Sequence, residues 1–124
     1  MRQTLTLMGQ LPRMNQLAGN QKKWAYADLK KKYETYISQE ILIQKLKPMA
    51  YAYLYFLWFE PNKKYNPDNI MSSQKFVLDA LVKMKVLKND GWSEVLGLHH
   101  SFVCTHGGTV GVEITLDNKS LSDI

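Results

Sequence analysis

Apolar and polar residues alternate in residues 4 to 8, TLTLM, which predicts a half-buried strand ended by Gly9 and Pro12. Residues 10 to 19 read as a loop. From about Asn20 to Lys47 the period becomes helical. Tyr26, Leu29, Tyr33, Tyr36, Ile37 and Ile41 recur in steps of three and four, forming one apolar stripe, and Pro48 closes the helix. Residues 49 to 59, MAYAYLYFLWF, are apolar throughout. Their bulky side chains favour a strand buried on both faces. A second helical pattern runs from Pro67 to about Lys85. Ile70, Val77, Leu81 and Met84 lie on one stripe, and Asp68, Ser72, Lys75 and Asp79 form a continuous polar one. Asn89-Asp90-Gly91 reads as a turn, 92 to 104 as a strand, Gly107-Gly108 as a hairpin turn and 109 to 116 as its partner. The tail from Asp117 is polar and expected to fray. The order strand, helix, strand, helix, strand, strand predicts one α/β (α+β) domain over residues 1–124, with a mixed sheet and two main helices.

Composition narrows the class. A chain of 124 residues with 45% hydrophobic and 22% charged residues can bury a core without staples. No apolar run reaches the roughly 18 residues of a membrane span, and the start lacks the features of a signal peptide. The single cysteine, Cys104, allows no internal disulfide, so a reducing compartment, the cytoplasm, is the simplest expectation. In a strand-like run it reads as a small buried hydrophobe. The net charge of +5 is uneven. Up to Asn66 there are eleven Lys or Arg against four Asp or Glu; from Pro67 there are five against seven. A basic half of this kind suits a polyanion such as nucleic acid, and equally a solvated lysine-rich surface.

The chemistry concentrates around "KKYNPDNIMSSQKFVLDAL", residues 63 to 81. Asn66 suits an N-cap, Pro67 the first helical position and Asp68 the first turn, so capping explains the stretch in isolation. Yet Asp68 follows the apolar strand ending near Glu60 and a loop bearing Lys63 and Lys64. Asp90 comes one helix later. A helix of that length can return the chain so that both carboxylates reach one end of a sheet. Carboxylate oxygens hold a hard cation such as Mg2+, which keeps several waters, and adjacent lysines hold phosphates. His99, His100 and His106 lack the spacing of a zinc site and read as surface or strand histidines. Trp24, Trp58 and Trp92 are assigned to core packing rather than base stacking. The Lys30 to Lys32 run spreads around its helix.

The stretches "NPDNI", "KFVLDALVKMKVL", "NDGW" and "EVLGL" resemble the RusA-type Holliday junction resolvases, especially the short forms of phages and prophages. The family pattern runs D-x-D-N, a lysine, L-D-A-L, a D-D or N-D turn and an aliphatic strand. The likeness covers about residues 56 to 103, and residues 6 to 15 fit the family's opening. It implies an α/β homodimer that cuts four-way DNA junctions with Mg2+, or Mn2+ in its place, in recombination and repair. By position it implies metal-binding and catalytic roles for Asp68 and Asp90. It implies a role for Lys75 at the scissile phosphate, with Asn69 and Asp79 also retained; Asp79 reads first as a polar-face helix residue. Lys63, Lys64, Lys75 and Arg13 are expected on the DNA. One departure stands out: Asn66 replaces the first acid of D-x-D-N, and Asn89 stands where many relatives have an acid. Either Glu60 restores the carboxylate count, with Asn66 giving a neutral oxygen, or the protein binds junctions as a recombination accessory without cutting them efficiently.

Overall fold

A computed structural model describes residues 1–12 and 23–120; the side chains of 23–25 are outside that description. The expected loop from 13, and with it Arg13, lies outside the described residues, as do the side chain of Trp24 and the end of the tail. The elements are β1 (Arg2–Met8), α1 (Lys23–Ile43), β2 (Ala52–Glu60), α2 (Pro67–Met71), α3 (Gln74–Lys83), β3 (Val95–Cys104) and β4 (Gly111–Asp117). The fold is the small mixed-sheet α+β domain expected from the element order.

The sheet order is β1-β4-β2-β3, with β2 and β3 parallel and β4 antiparallel to both β1 and β2. Two strand–helix–strand units thus run β1-α1-β2 and β2-α3-β3, and β4 slots between the first pair. One sheet face carries Leu5, Leu7, Leu54, Phe56, Trp58, Ile114 and Leu116, all buried. Ile37 and Ile41 of α1 and Phe76, Val77 and Leu81 of α3 complete this core. The two helices run side by side in the same direction, since Lys30 pairs with Asp79 and Glu34 with Lys83.

Several expectations are corrected. β3 and β4 do not form a hairpin, because β2 lies between them. The connecting turn passes over the end of β2, where Thr105 N and Gly107 N donate to the Glu60 and Pro61 carbonyls. It reverses through positive φ at His106 (52°) and Gly107 (85°). β4 can reach its slot only because residue 111 is glycine: a Cβ there would meet the Leu7 carbonyl oxygen at 2.3 Å. β2 is not buried on both faces. Its alternate residues Tyr53, Tyr55, Leu57 and Phe59 face away from the helices and stay half-exposed. The helical stretch from Pro67 is interrupted at Ser72-Ser73. There the hydroxyls bond the Asn69 and Pro12 carbonyls, offering the backbone an alternative to a continuous helix.

Both long helices end short of the Lys47 and Lys85 expected from the sequence. At α1 the chain turns left-handed at Lys45 (φ 58°) and Leu46 N bonds the Ile41 carbonyl; at α3 Lys85 (φ 60°) and the Val86 N–Leu81 carbonyl bond repeat the device. This is the helix-ending motif that usually employs glycine.

Candidate functional site at the carboxyl ends of β2 and β3

In open sheets with parallel strands, ligands favour the crevice beyond the strands' carboxyl ends. Here that crevice is a cavity of about 300 Å3 between the end of β2, the 61–66 loop, α2 and the end of β3. Glu60, Asn62, Lys63, Tyr65, Asn66, Pro67 and Ile70 line it on one side, and Phe102, Val103 and Cys104 on the other. Glu60 is the last residue of β2 and falls on the helix-facing side, so alternation buries its side chain to 5% exposure. Burying a carboxylate calls for polar or charged partners, and Glu60 is not without them.

Asn66 precedes α2, and Pro67 takes the first helical position. Its backbone carbonyl accepts from Asn69 N and Ile70 N, but its side chain makes no capping bond. The capping explanation therefore accounts for the Asn66 backbone and not for its amide. Lys63 and Lys64 are exposed on the loop beside the cavity, where the Asn62 side chain accepts from Lys64 N and fixes the turn. Lys64 Nζ stands 5.4 Å from the centre of the Tyr65 ring. Asp68 is exposed in the first turn of α2.

The other expected site residues lie elsewhere. Lys75 Nζ is 3.2 Å from Asp79 Oδ1, and Lys30 reaches the other oxygen of the same carboxylate at 3.9 Å. The hydrogen bond to Asp79, and then its charge, hold Lys75 above its usual pKa against a lowering by desolvation, with smaller contributions from Asp90 and Tyr26. Asp90 thus shares the electrostatic neighbourhood of Lys75 and Asp79, whereas Asp68 does not contribute there. Along the chain Asp68 follows the carboxyl end of β2, and Asp90 precedes the amino end of β3, whose first residue pairs with Ala52. Asn89 bonds Asp90 N through its side chain.

The structure thus gathers Glu60, Lys63 and Asn66 on one cavity, keeps Asp68 on the adjoining helical turn and pairs Lys75 with Asp79; Asp90, before the amino end of β3, reaches Lys75 only through its charge and is not brought to Asp68 as expected. Among the described residues no three Asp, Glu, His or Cys side chains converge as a metal cage. A buried carboxylate and a neutral amide oxygen are hard donors. They fit a cation that keeps most of its water, as Mg2+ does with one or two carboxylates, and do not fit an all-protein cage.

Sequence reasoning misplaced Cys104 and Trp92, and placed His100 on a strand as expected. Cys104 is half-exposed at the cavity rather than buried, with Sγ 3.8 Å from His106 Nδ1. Trp92 is 97% exposed, not core. His100 is a half-buried strand residue: its Nδ1 accepts from Trp58 Nε1 at 2.9 Å, so its Nε2 carries the proton and donates to Gln74 Oε1 at 2.8 Å. Burial, then His99, pushes its pKa down, and the ring stacks on Phe56. The exposure of Cys104 follows from β3 being the edge strand, which no local signal states. No family model matches the chain, and no curated protein matches it.

Proposed function

We propose that the protein is a RusA-like, metal-dependent endodeoxyribonuclease acting on four-way and other branched DNA. The observation that supports this most is the meeting of Glu60, Lys63 and Asn66 on one cavity beyond the carboxyl ends of β2 and β3, with the Asn66 amide uncommitted to capping. Glu60 and Asn66, with Asp68 from the next turn, would hold Mg2+ or Mn2+. When bound, such a cation would polarise a phosphoryl group and make its bound water easier to deprotonate. Lys63 and Lys64 hold the flanking phosphates as point charges, and the half-buried Tyr65 with the exposed Phe102 ring forms the cavity's apolar side. Lys75 serves the DNA backbone from the second cluster, where Asp79 competes for it, and Asp90 tunes the same lysine. A four-way junction has two-fold symmetry, so paired incision calls for two copies of the chain. No helix among the described residues is long and apolar enough to cross a membrane.

A second reading is favoured by Asn66 itself. With a neutral amide in the position of an acid, the chain would bind junctions without efficient cutting. The test is cleavage of a synthetic mobile four-way junction with Mg2+ or Mn2+, comparing wild type with Asn66→Asp. Cutting by wild type, enhanced in Asn66→Asp, supports the nuclease. Binding by both without cutting by either supports the accessory protein. Failure of both to bind the junction ends both readings.

A further inference from the structure

The basic residues before Asn66 do not all gather at the candidate site. Arg2, Asp117 and Tyr53 form one row across β1, β4 and β2, and Tyr53 stands seven residues before Glu60 on β2. At about 3.3 Å per residue, that row lies about 23 Å from the candidate site. At this far end a cavity of about 560 Å3 opens between the start of β1 and the segment after α1. Arg2, Gln3, Gln44, Lys45 and Lys47 line it, and among the described residues no Asp or Glu does. Its backbone is fixed at two points. Gln3 Nε2 donates to the Lys47 carbonyl at 2.7 Å, and Lys47 N donates to Gln3 Oε1 at 2.8 Å. The Gln44 amide accepts from Thr6 N at 2.9 Å and donates to the Thr6 carbonyl at 2.7 Å. The backbone around Lys45 and Lys47 is thus clamped to β1 while both lysines stay exposed. Neither makes an ion pair among the described residues, whereas Arg2 is shared with Asp117 at 3.9 Å.

We propose that this cradle is a separate phosphate-binding site, which takes the backbone of a duplex arm other than the one held at Lys63 and Lys64. Fold stability gives little reason for its lysines. Lys45 holds φ at 58°, where glycine is the usual choice. Both Lys45 and Lys47 lie beyond Ile43, the last residue of α1, and the pull of a helix dipole falls off within the last turn. No aromatic ring lines the cavity, so it offers a nucleobase no stacking partner. Lysines are compact point charges that suit backbone phosphate and carry no sequence information. Distance makes the site separate. Exposed charges further apart than the Debye length, about 8 Å at physiological salt, are largely screened from one another. Across about 23 Å the two lysine sets therefore act on different stretches of backbone rather than as one patch. A branched substrate offers such stretches on arms that are already joined, and joined sites gain affinity without any new contact.

This second site rests on the branched-DNA reading above and adds how one copy grips two arms; its test reads binding alone, so a protein that does not cut can still pass it. Fluorescence anisotropy of the full chain compares wild type with the Lys45→Gln, Lys47→Gln double variant on a four-way junction and on one isolated duplex arm, each across a salt series. On the junction the double variant should bind about tenfold or more weakly. Its slope of log affinity against log salt should flatten by up to about 0.9 for each lysine. The isolated duplex, still held through Lys63 and Lys64, should lose only slightly. Lys45→Gly guards against a folding artefact: it removes the charge yet supplies the residue that the left-handed backbone favours, so Tm should hold or rise while the junction slope flattens by about half as much. A wild type that binds no DNA ends this proposal together with the branched-DNA reading. A wild type that binds DNA but is unaffected by the double substitution ends this proposal alone. So does an equal loss on duplex and junction, which would make the two lysine sets one patch, or a fall in Tm with junction binding intact, which would leave Lys45 and Lys47 a structural role only. Tripolyphosphate that shifts the amide resonances of residues 45 to 47 at concentrations where a duplex does not would assign the cradle to a small polyanion and overturn its assignment to DNA.

Discussion

Asp79→Asn separates the structural and functional roles of the second lysine cluster. Asp79 is 21% exposed at its side chain and is shared by Lys75 at 3.2 Å and Lys30 at 3.9 Å, which are 66% and 44% exposed. Exposed ion pairs contribute about 0.2–1 kcal/mol each. The Lys75 pair runs lysine to acid along the helix, the weaker order for an i,i+4 pair. Losing both should therefore cost about 0.5–1.5 kcal/mol, seen as a fall of roughly 2–8 °C in Tm for a domain of this size. The same change releases two cations. If the cluster faces DNA, junction affinity should rise at low salt, and the slope of log affinity against log salt should steepen by up to about 0.9 for each lysine that reaches a phosphate on duplex arms. Fluorescence anisotropy across a salt series measures the slope, and a thermal melt measures the cost. An unchanged or shallower slope in a folded Asp79→Asn protein would take Lys75 off the DNA surface. A loss of several kcal/mol would show that Asp79 does more than the two exposed pairs explain.

Reversing Lys63 and Lys64 to Glu should weaken binding to every DNA sequence tested and flatten the salt slope, since phosphate contacts carry no sequence information; unaltered binding in gel-shift titrations would refute their placement. Asp68→Asn should abolish Mg2+-dependent cutting while junction binding persists, and should change stability by only a fraction of a kcal/mol, as expected for a charge in a helix's first turn; retained cutting would remove Asp68 from the site. Stability should also fall with pH below about 6.5. Burial lowers the His100 pKa in the fold, so the unfolded chain takes up a proton that the folded chain refuses, and stability present above the unfolded value is lost as pH drops toward the folded one. Urea midpoints between pH 7.5 and 5 should show this loss, and His100→Phe should reduce the slope while lowering stability at all pH values by removing the Trp58–His100 and His100–Gln74 hydrogen bonds. A slope identical in the variant would assign the pH dependence to other groups.

Local order was legible along the chain because it rests on local period. The TLTLM alternation marks β1, and the three-and-four spacing from Leu29 to Ile41 marks the buried stripe of α1, since a helix must turn one face to the core. The pairing of strands is not local. Nothing near Gly111 states that β4 enters between β1 and β2, or that Arg2 will lie opposite Asp117. That insertion separates β3 from β4 and leaves β3 at the edge. Once it is there, Leu98, Phe102 and Cys104 point to the helix side of the sheet yet remain partly exposed, although their sequence reads like the core strand β2. The same distinction governs the site. The residue types at 60, 63, 66 and 68 suggested cation and phosphate chemistry beside helix capping, because carboxylate and amide oxygens can hold a hard cation and lysines a phosphate. Only the tertiary structure decided that Glu60, Lys63 and Asn66 share a cavity while Lys75 pairs with Asp79. A side chain's neighbours depend on which strand ends and helix turns meet in space, and a 22-residue separation along the chain leaves that direction open.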